Sequence, residues 1–280
     1  MTNIERYTAF DVDGEGGNPA GVVLDATGLD EARMLAIAAD LGYSETAFLV
    51  PDNRIRYFSP LAEVSFCGHA TIATAVAHAE RSGVGTLALR TQAGEVVVRT
   101  RREDGQLLAT LTSVAPSVRD APPSLVEEAL AALRWDAADL DPALPPRVAF
   151  AGAHHLVLAA GSRERLAKLD YDFDALGALM AREDWTTVQL VWAGPDGFHS
   201  RNPFPPGGVY EDPATGASAA AFGAYLRDLG TTGRITIHQG EDLGRPSCLL
   251  VDIPATGGIS VSGTAVRLQA LSGESGRRAS

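Results

Sequence analysis

Apolar and β-branched residues alternate with polar ones through the first part of the chain. They predict strands at IERYTAF, AGVVL, ETAFLV, RIRYF, TLALRT, EVVVRT and LLATLT. The Asp104-Gly105 pair between the last two is a hairpin turn signal. Two stretches switch to a helical period, LDEARMLAIAADLG and HATIATAVAHAERSG, and the second is apolar around most of its circumference. A looser segment, VAPSVRDAPPS, precedes the helical pattern LVEEALAALRW and places a domain boundary near residue 116. Beyond it the theme returns. Strand patterns RVAFAG, HLVLAA, TTVQLVW, RITIHQ, CLLVDIP, ISVSG and AVRLQAL surround a second all-apolar helix pattern, ATGASAAAFGAYLRDLG.

A helix that is apolar on every side must be buried on every side, so strands have to wrap it. Short antiparallel-looking strands outnumber helices and no βαβ rhythm runs through the chain, which favours α+β over a doubly wound sheet. The expectation is two pseudo-repeated domains, residues 1–115 and 116–271, with the last strands free to return to the first. The polar tail SGESGRRAS, 272–280, is expected to be disordered.

Composition narrows the function. At 280 residues and 45% hydrophobic content the chain can build well-packed cores. The opening MTNIERYTAF has no apolar signal region, and nowhere do 18 apolar residues run together, so a cytoplasmic location is the default. Two distant cysteines, Cys67 and Cys248, supply neither a disulfide framework nor metal spacing. A formal charge of −12 opposes nucleic acid and anionic membrane as partners; an anionic substrate would need a local pocket. The only lysine, Lys168, lies in SRERLAKL, which reads as an exposed amphipathic helix and disfavours a pyridoxal Schiff base. GEGGNPAG lacks dinucleotide-binding spacing and leads into a strand, and neither a phosphate loop nor HExxH is present. His154 and His155, adjacent on a strand pattern, point to opposite faces and cannot easily share a metal. No metal or cofactor is expected.

Candidate chemistry gathers at the starts of the two apolar helices, FCGHAT and EDPATGAS. The first amides of a buried helix need an acceptor, and a carboxylate there gains hydrogen bonds and the favourable end of the helix dipole. The competing reading is that Thr215 or a neighbouring loop caps the helix and nothing binds. Glu45, at the head of ETAFLV, is either solvated at the strand edge or held in a low-dielectric pocket. The same choice applies to Glu63, Glu211 and Asp212. Cys67 can be a small buried hydrophobe, and His69 a core or capping residue.

GNPAGVVL, YSETAFLV, RYFSPLAEVSFCGHATIATA and YEDPATGASAAA, in this order and spacing, resemble the phenazine biosynthesis PhzF-like family, of the diaminopimelate epimerase-like fold. The resemblance spans nearly the whole chain. It implies two β-barrel-like sheets, each wrapped around a central helix, with the active site between them and a tendency to form homodimers. It further implies Glu45 as the acid/base residue, assisted by His69 and Asp212. The substrate carboxylate would be gripped by amides at Gly68, Gly216, Ala217 and Ser218, with Asn18 as a polar wall. The implied activity is a cofactor-independent isomerase acting on a small cyclic carboxylic or amino acid, as in trans-2,3-dihydro-3-hydroxyanthranilate isomerisation.

Two departures stand out. Ala217-Ser218 replaces the family's usual Ser-Ala order, which preserves a backbone N–H but not a hydroxyl at the first position. RNPFPP carries an extra proline. Two other functions compete: an amino-acid racemase or epimerase using Cys67 as a thiol base, and a non-catalytic small-molecule binder. EDPATGAS offers no second thiol, which disfavours two-thiol chemistry.

Overall fold

The computed structural model describes residues 2–269. The tail expected to be disordered, 272–280, lies outside them. The strands Glu5–Ala9, Asn18–Val23, Glu45–Val50, Arg54–Phe58, Thr86–Thr91, Gly94–Glu103, Gln106–Thr112 and Ser260–Arg267 form a closed eight-stranded barrel. Each is hydrogen-bonded to the next and the last to the first. The Asp104-Gly105 turn closes a two-residue hairpin with both residues at positive φ, +50° and +83°, a backbone twist that matches the twist of its strands.

The second half builds a sheet from Ser117–Asp120, Arg147–Phe150, His154–Ala159, Trp185–Gly194, Gly197–Phe204, Gly233–Gln239 and Ser247–Ile253. It joins the barrel where Ser247–Ile253 pairs with Ser260–Arg267.

Among the described residues there are six α-helices: α1 (Glu31–Leu41), α2 (Gly68–Ser82), α3 (Pro123–Leu133), α4 (Arg163–Ala167), α5 (Phe173–Glu183) and α6 (Gly216–Asp228). As the apolar patterns require, α2 lies inside the barrel and α6 inside the second sheet. Ala73 and Val76 of α2 share one hydrophobic cluster with Ala221 and Phe222 of α6. Thr71 and Thr74 keep α2 buried without orphaned hydroxyls, by donating back to the carbonyls of Cys67 and Ala70 at 2.6 and 2.7 Å. In α6 the packing is tight enough to demand a glycine. A Cβ on Gly223 would meet Ile259 and Val251 at 2.8 and 2.9 Å. The amphipathic helices lie outside, α1 against Phe48 and Phe58 and α3 with α5 against Leu156 and Leu190. Among the described residues no helix is long and apolar enough to cross a membrane.

The fold class is the one expected: α+β, in two similar halves around two buried helices. The short strands Glu63–Val64, Ser117–Asp120 and Val209–Asp212 are not legible in the sequence, and three further differences stand out. Strand Gly197–Phe204 was hidden because its buried residues include Ser200, Arg201 and Asn202, which break the apolar alternation. Helix α5, capped by Asp172, was not distinguished from its surroundings. ISVSG and AVRLQAL form one strand, Ser260–Arg267, in place of two.

Candidate active site

The seam between the two halves gathers polar groups from four elements. Asn18 opens the second strand and Glu45 the third; Cys67 and His69 begin α2, and Asp212 ends the short strand Val209–Asp212 before α6. All but Glu45 are buried, and Glu45 is half-buried.

A hydrogen-bonded chain links the halves. The Asn18 amide nitrogen donates to Asp212 Oδ1 at 2.8 Å and to the Ala214 carbonyl at 3.1 Å, and faces His69 Nδ1 at 3.2 Å. The two oxygens fix the amide orientation, so Asn18 turns its nitrogen and not its oxygen toward Nδ1, which disfavours a ring proton there and favours the tautomer protonated at Nε2. That nitrogen lies 3.4 Å from Glu45 Oε2 and 3.4 Å from the Ser44 hydroxyl. Burial holds the His69 imidazole below its ordinary value, against the opposing charge of Glu45, so the neutral form is favoured. The Cys67 thiol also donates to Glu45 Oε2, at 3.5 Å. One carboxylate oxygen is therefore held by the Cys67 thiol and lies beside His69 Nε2, while Oε1 has no hydrogen-bond partner among the described residues.

Asp212 is held from the other side. The Thr215 hydroxyl donates to Oδ2 at 2.5 Å, and the Gln239 amide donates to both Thr215 Oγ1 at 3.0 Å and the Asp212 carbonyl at 2.8 Å. Burial, then the charges of Glu45 and Glu211, push the Asp212 carboxyl up to about 7; the Thr215 and Asn18 donors pull against them. Burial and the charge of Glu45 push the Cys67 thiol well up, which keeps it protonated.

Neither helix start carries a side-chain cap. Thr215 occupies the N-cap position of α6 but spends its hydroxyl on Asp212, in contrast to the capping alternative. The first helical bonds run from Thr71 N to the Cys67 carbonyl and from Ala219 N to the Thr215 carbonyl. The amides of Gly68, Gly216, Ala217 and Ser218 precede them and have no intrahelical acceptor. Gly68, Gly216 and Ala217 are also half-exposed, and a Cβ on Gly68 would meet nothing within 4 Å. Ser218 differs: its hydroxyl is turned inward to the buried Gln189.

Glu45, Cys67 and His69 offer ligand atoms within 4.8 Å of one another, a set that could hold a cation. The ring behind argues against it. A metal-ligating histidine donates its second N–H to an acceptor, whereas His69 Nδ1 faces an Asn18 amide that can only donate.

The remaining candidates are placed elsewhere. Glu63 pairs with Arg56 at 2.6 Å, and Glu211 forms a buried ion pair with Arg201. His155 is fully buried against Thr187 at 2.9 Å and its imidazole is pushed down to about 3, while His154 lies partly exposed on the other face. Cys248 pairs across strands with His238. Lys168 ends α4, whose Leu166 is buried. The second proline of RNPFPP lies in the turn Pro205–Gly207, beside a cavity of about 270 Å³ lined by Phe173 and Gly177. Another cavity, of about 390 Å³, lies beside Arg54 and Arg90; neither includes a member of the hydrogen-bonded chain. Sequence reasoning missed Ser44, Gln189 and Gln239. Gln239 ends a strand pattern in a polar loop sequence, and only the tertiary fold brings it beneath Asp212.

Comparison with known proteins gives the family. The phenazine biosynthesis-like protein family model, PhzC-PhzF, matches residues 7–270. An uncharacterized isomerase of Mesorhizobium japonicum is 33% identical over 285 residues, covering 91% of this chain and 92% of that protein. The trans-2,3-dihydro-3-hydroxyanthranilate isomerase of Pseudomonas chlororaphis is 30% identical over 251 residues, covering 83% and 84%. The crystal structure of a Bacillus anthracis phenazine biosynthesis protein of the PhzF family superposes with a TM-score of 0.84 at 26% identity, covering 96% and 97%. The two buried helices, the cross-seam chain of polar groups and these matches lead to one assignment: the chain belongs to the phenazine biosynthesis-like (PhzC-PhzF) protein family.

Proposed function

We propose that this isomerase moves a proton within a small cyclic carboxylic or amino acid, and that Glu45 takes the proton from one carbon and returns it to another. One observation carries the reading: Glu45, with one oxygen fixed and the other unpartnered, lies in a hydrogen-bonded chain that reaches Asp212 across the seam. A general base needs a fixed orientation and a free lone pair, and Glu45 has both. The uncapped starts of α2 and α6 provide amides for the substrate carboxylate and for charge that builds up during proton transfer. Asp212, which titrates near neutrality, is suited to exchange a proton at the opposite side of the seam. A thiol-base epimerase is less well supported, since Cys67 stays protonated and shares Glu45's side of the chain.

The substrate class follows from the Pseudomonas chlororaphis relative, and trans-2,3-dihydro-3-hydroxyanthranilate is the first compound to test. The experiment is turnover of that acid in D2O, with the product examined by NMR. Deuterium at one product carbon supports the proposal. Failure to turn over this acid or any of a panel of cyclic carboxylic acids would leave the chain a binder and refute it.

A further inference from the structure

Gln239 lies outside every motif that pointed to the site, yet it is 1% exposed and makes three hydrogen bonds around Asp212. Its backbone is paired on both sides, with Ser200 on one strand and Ser247 on the other, which fixes where its side chain starts. Its Oε1 accepts from Thr215 N at 3.1 Å, so the amide has only one orientation and its nitrogen must be the group facing Thr215 Oγ1. A hydroxyl has a single proton. With Gln239 donating to the Thr215 oxygen, that proton can go only to Asp212 Oδ2, 2.5 Å away.

We infer that Gln239 is a positioning residue for the proton-transfer site: it sets the direction of the Thr215 hydroxyl so that Asp212 accepts at both oxygens. Oδ1 takes Asn18 and Oδ2 takes Thr215. Any proton that Asp212 acquires must then occupy a lone pair that neither donor uses, instead of being lost into the buried web. Gln239 also spares the Thr215 hydroxyl from capping α6, which leaves the start of that helix open. The charged and titratable groups around Asp212 are Glu45 from its strand, Cys67 and His69 from the start of α2, and Glu211 beside it, the last neutralised by Arg201. None of them contacts the Thr215 hydroxyl. The inference rests on the proposed proton transfer for its effect on turnover, but not for the direction of the hydrogen bonds.

Three full-length variants test it: Thr215→Val, Gln239→Met and the double variant. Asp212 is followed by carboxyl carbon NMR across pH, and turnover by steady-state kinetics. Thr215→Val removes the donor without changing shape or charge, so Asp212 should titrate at higher pH and kcat should fall about tenfold with KM little changed, a barrier increase of ~1.4 kcal/mol. Gln239→Met releases the hydroxyl and should raise the Asp212 titration in the parent background. In the Thr215→Val background there is no hydroxyl left to direct, so positioning predicts that adding Gln239→Met shifts Asp212 no further. A merely structural role predicts that the two shifts add. If Thr215→Val titrates like the parent protein, or if Gln239→Met shifts Asp212 equally with and without the Thr215 hydroxyl, Gln239 does not act through Thr215 and the inference fails. The NMR titration reads the hydrogen bonds even if no substrate turns over, so failure of the functional proposal remains distinguishable.

Discussion

Asn18 and Asp212 are 194 positions apart in the chain and joined by a 2.8 Å hydrogen bond. The bond ties the start of an early barrel strand to the approach of α6, and it spans the only polar path between Glu45 and Asp212 described above. Asp212 is therefore oriented by a residue of the other half of the molecule, and the site exists only when both halves are folded together.

Replacing Glu45 by glutamine retains the shape and removes the base. The variant should fold normally and bind substrate, but turn over at least ~100-fold more slowly, the lower end for loss of general acid/base catalysis. Solvent deuterium should enter the product only with Glu45 intact. Turnover at the parental rate would assign the glutamate a structural role.

Gly68→Ala separates binding from stability. Gly68 has ordinary helical surroundings and open space in front of it, so an added methyl meets no protein atom and the helix gains up to about 1 kcal/mol of propensity. That same methyl would enter the space assigned to the substrate carboxylate. The expected outcome is an unchanged or raised melting temperature with KM increased about tenfold or more, ~1.4 kcal/mol of binding. An unaffected KM would move the carboxylate away from α2.

Cys67→Ala removes a long, weak thiol donor from Glu45 and a neutral packing group from the start of α2. Turnover should stay within about tenfold of the parent, ~1.4 kcal/mol of barrier. A near-complete loss in a folded variant would revive the thiol-base alternative.

Asp212 makes stability depend on pH with a defined sign. Burial pushes its carboxyl up to about 7 from the ordinary 3.8, so the folded state binds the proton more tightly than the unfolded state between those limits. Stability contributed by the protonated carboxyl is full below the lower limit and is lost as pH rises through the upper one. Asp212→Asn has no such proton to lose. In urea titrations, the parent should weaken relative to Asp212→Asn between about pH 4 and about pH 7, even if the amide fits less well at every pH. A constant difference would mean that the carboxyl does not titrate in that window.

Much of this architecture was legible because period and burial agree. ETAFLV, RIRYF and TLALRT are strands with the expected bounds, and the two helices apolar on all sides are the two that strands enclose. Glu45, His69, Asp212 and Asn18 could be named because they lie in short, distinctive phrases. Their mutual geometry could not, since Asn18 reaches both His69 and Asp212 only after two distant segments meet. Buried polar residues were the weakest signal. Ser200, Arg201, Asn202 and Gln239 look like loop or surface positions until their partners are known, because polarity is read locally and hydrogen-bond satisfaction is tertiary.

The strand Ser260–Arg267 lies between Glu5–Ala9 and Gln106–Thr112 and completes the first barrel. A ribosome delivers these partners in the opposite order to their need: the barrel's other seven strands emerge early and wait, with two open edges, for a segment made some 150 residues later. Until it arrives, α2 has an incomplete wrapper and the edges can pair with other chains. Folding of the first half is thus tied to synthesis of the second, and a fragment ending before residue 260 should aggregate instead of forming an independent domain.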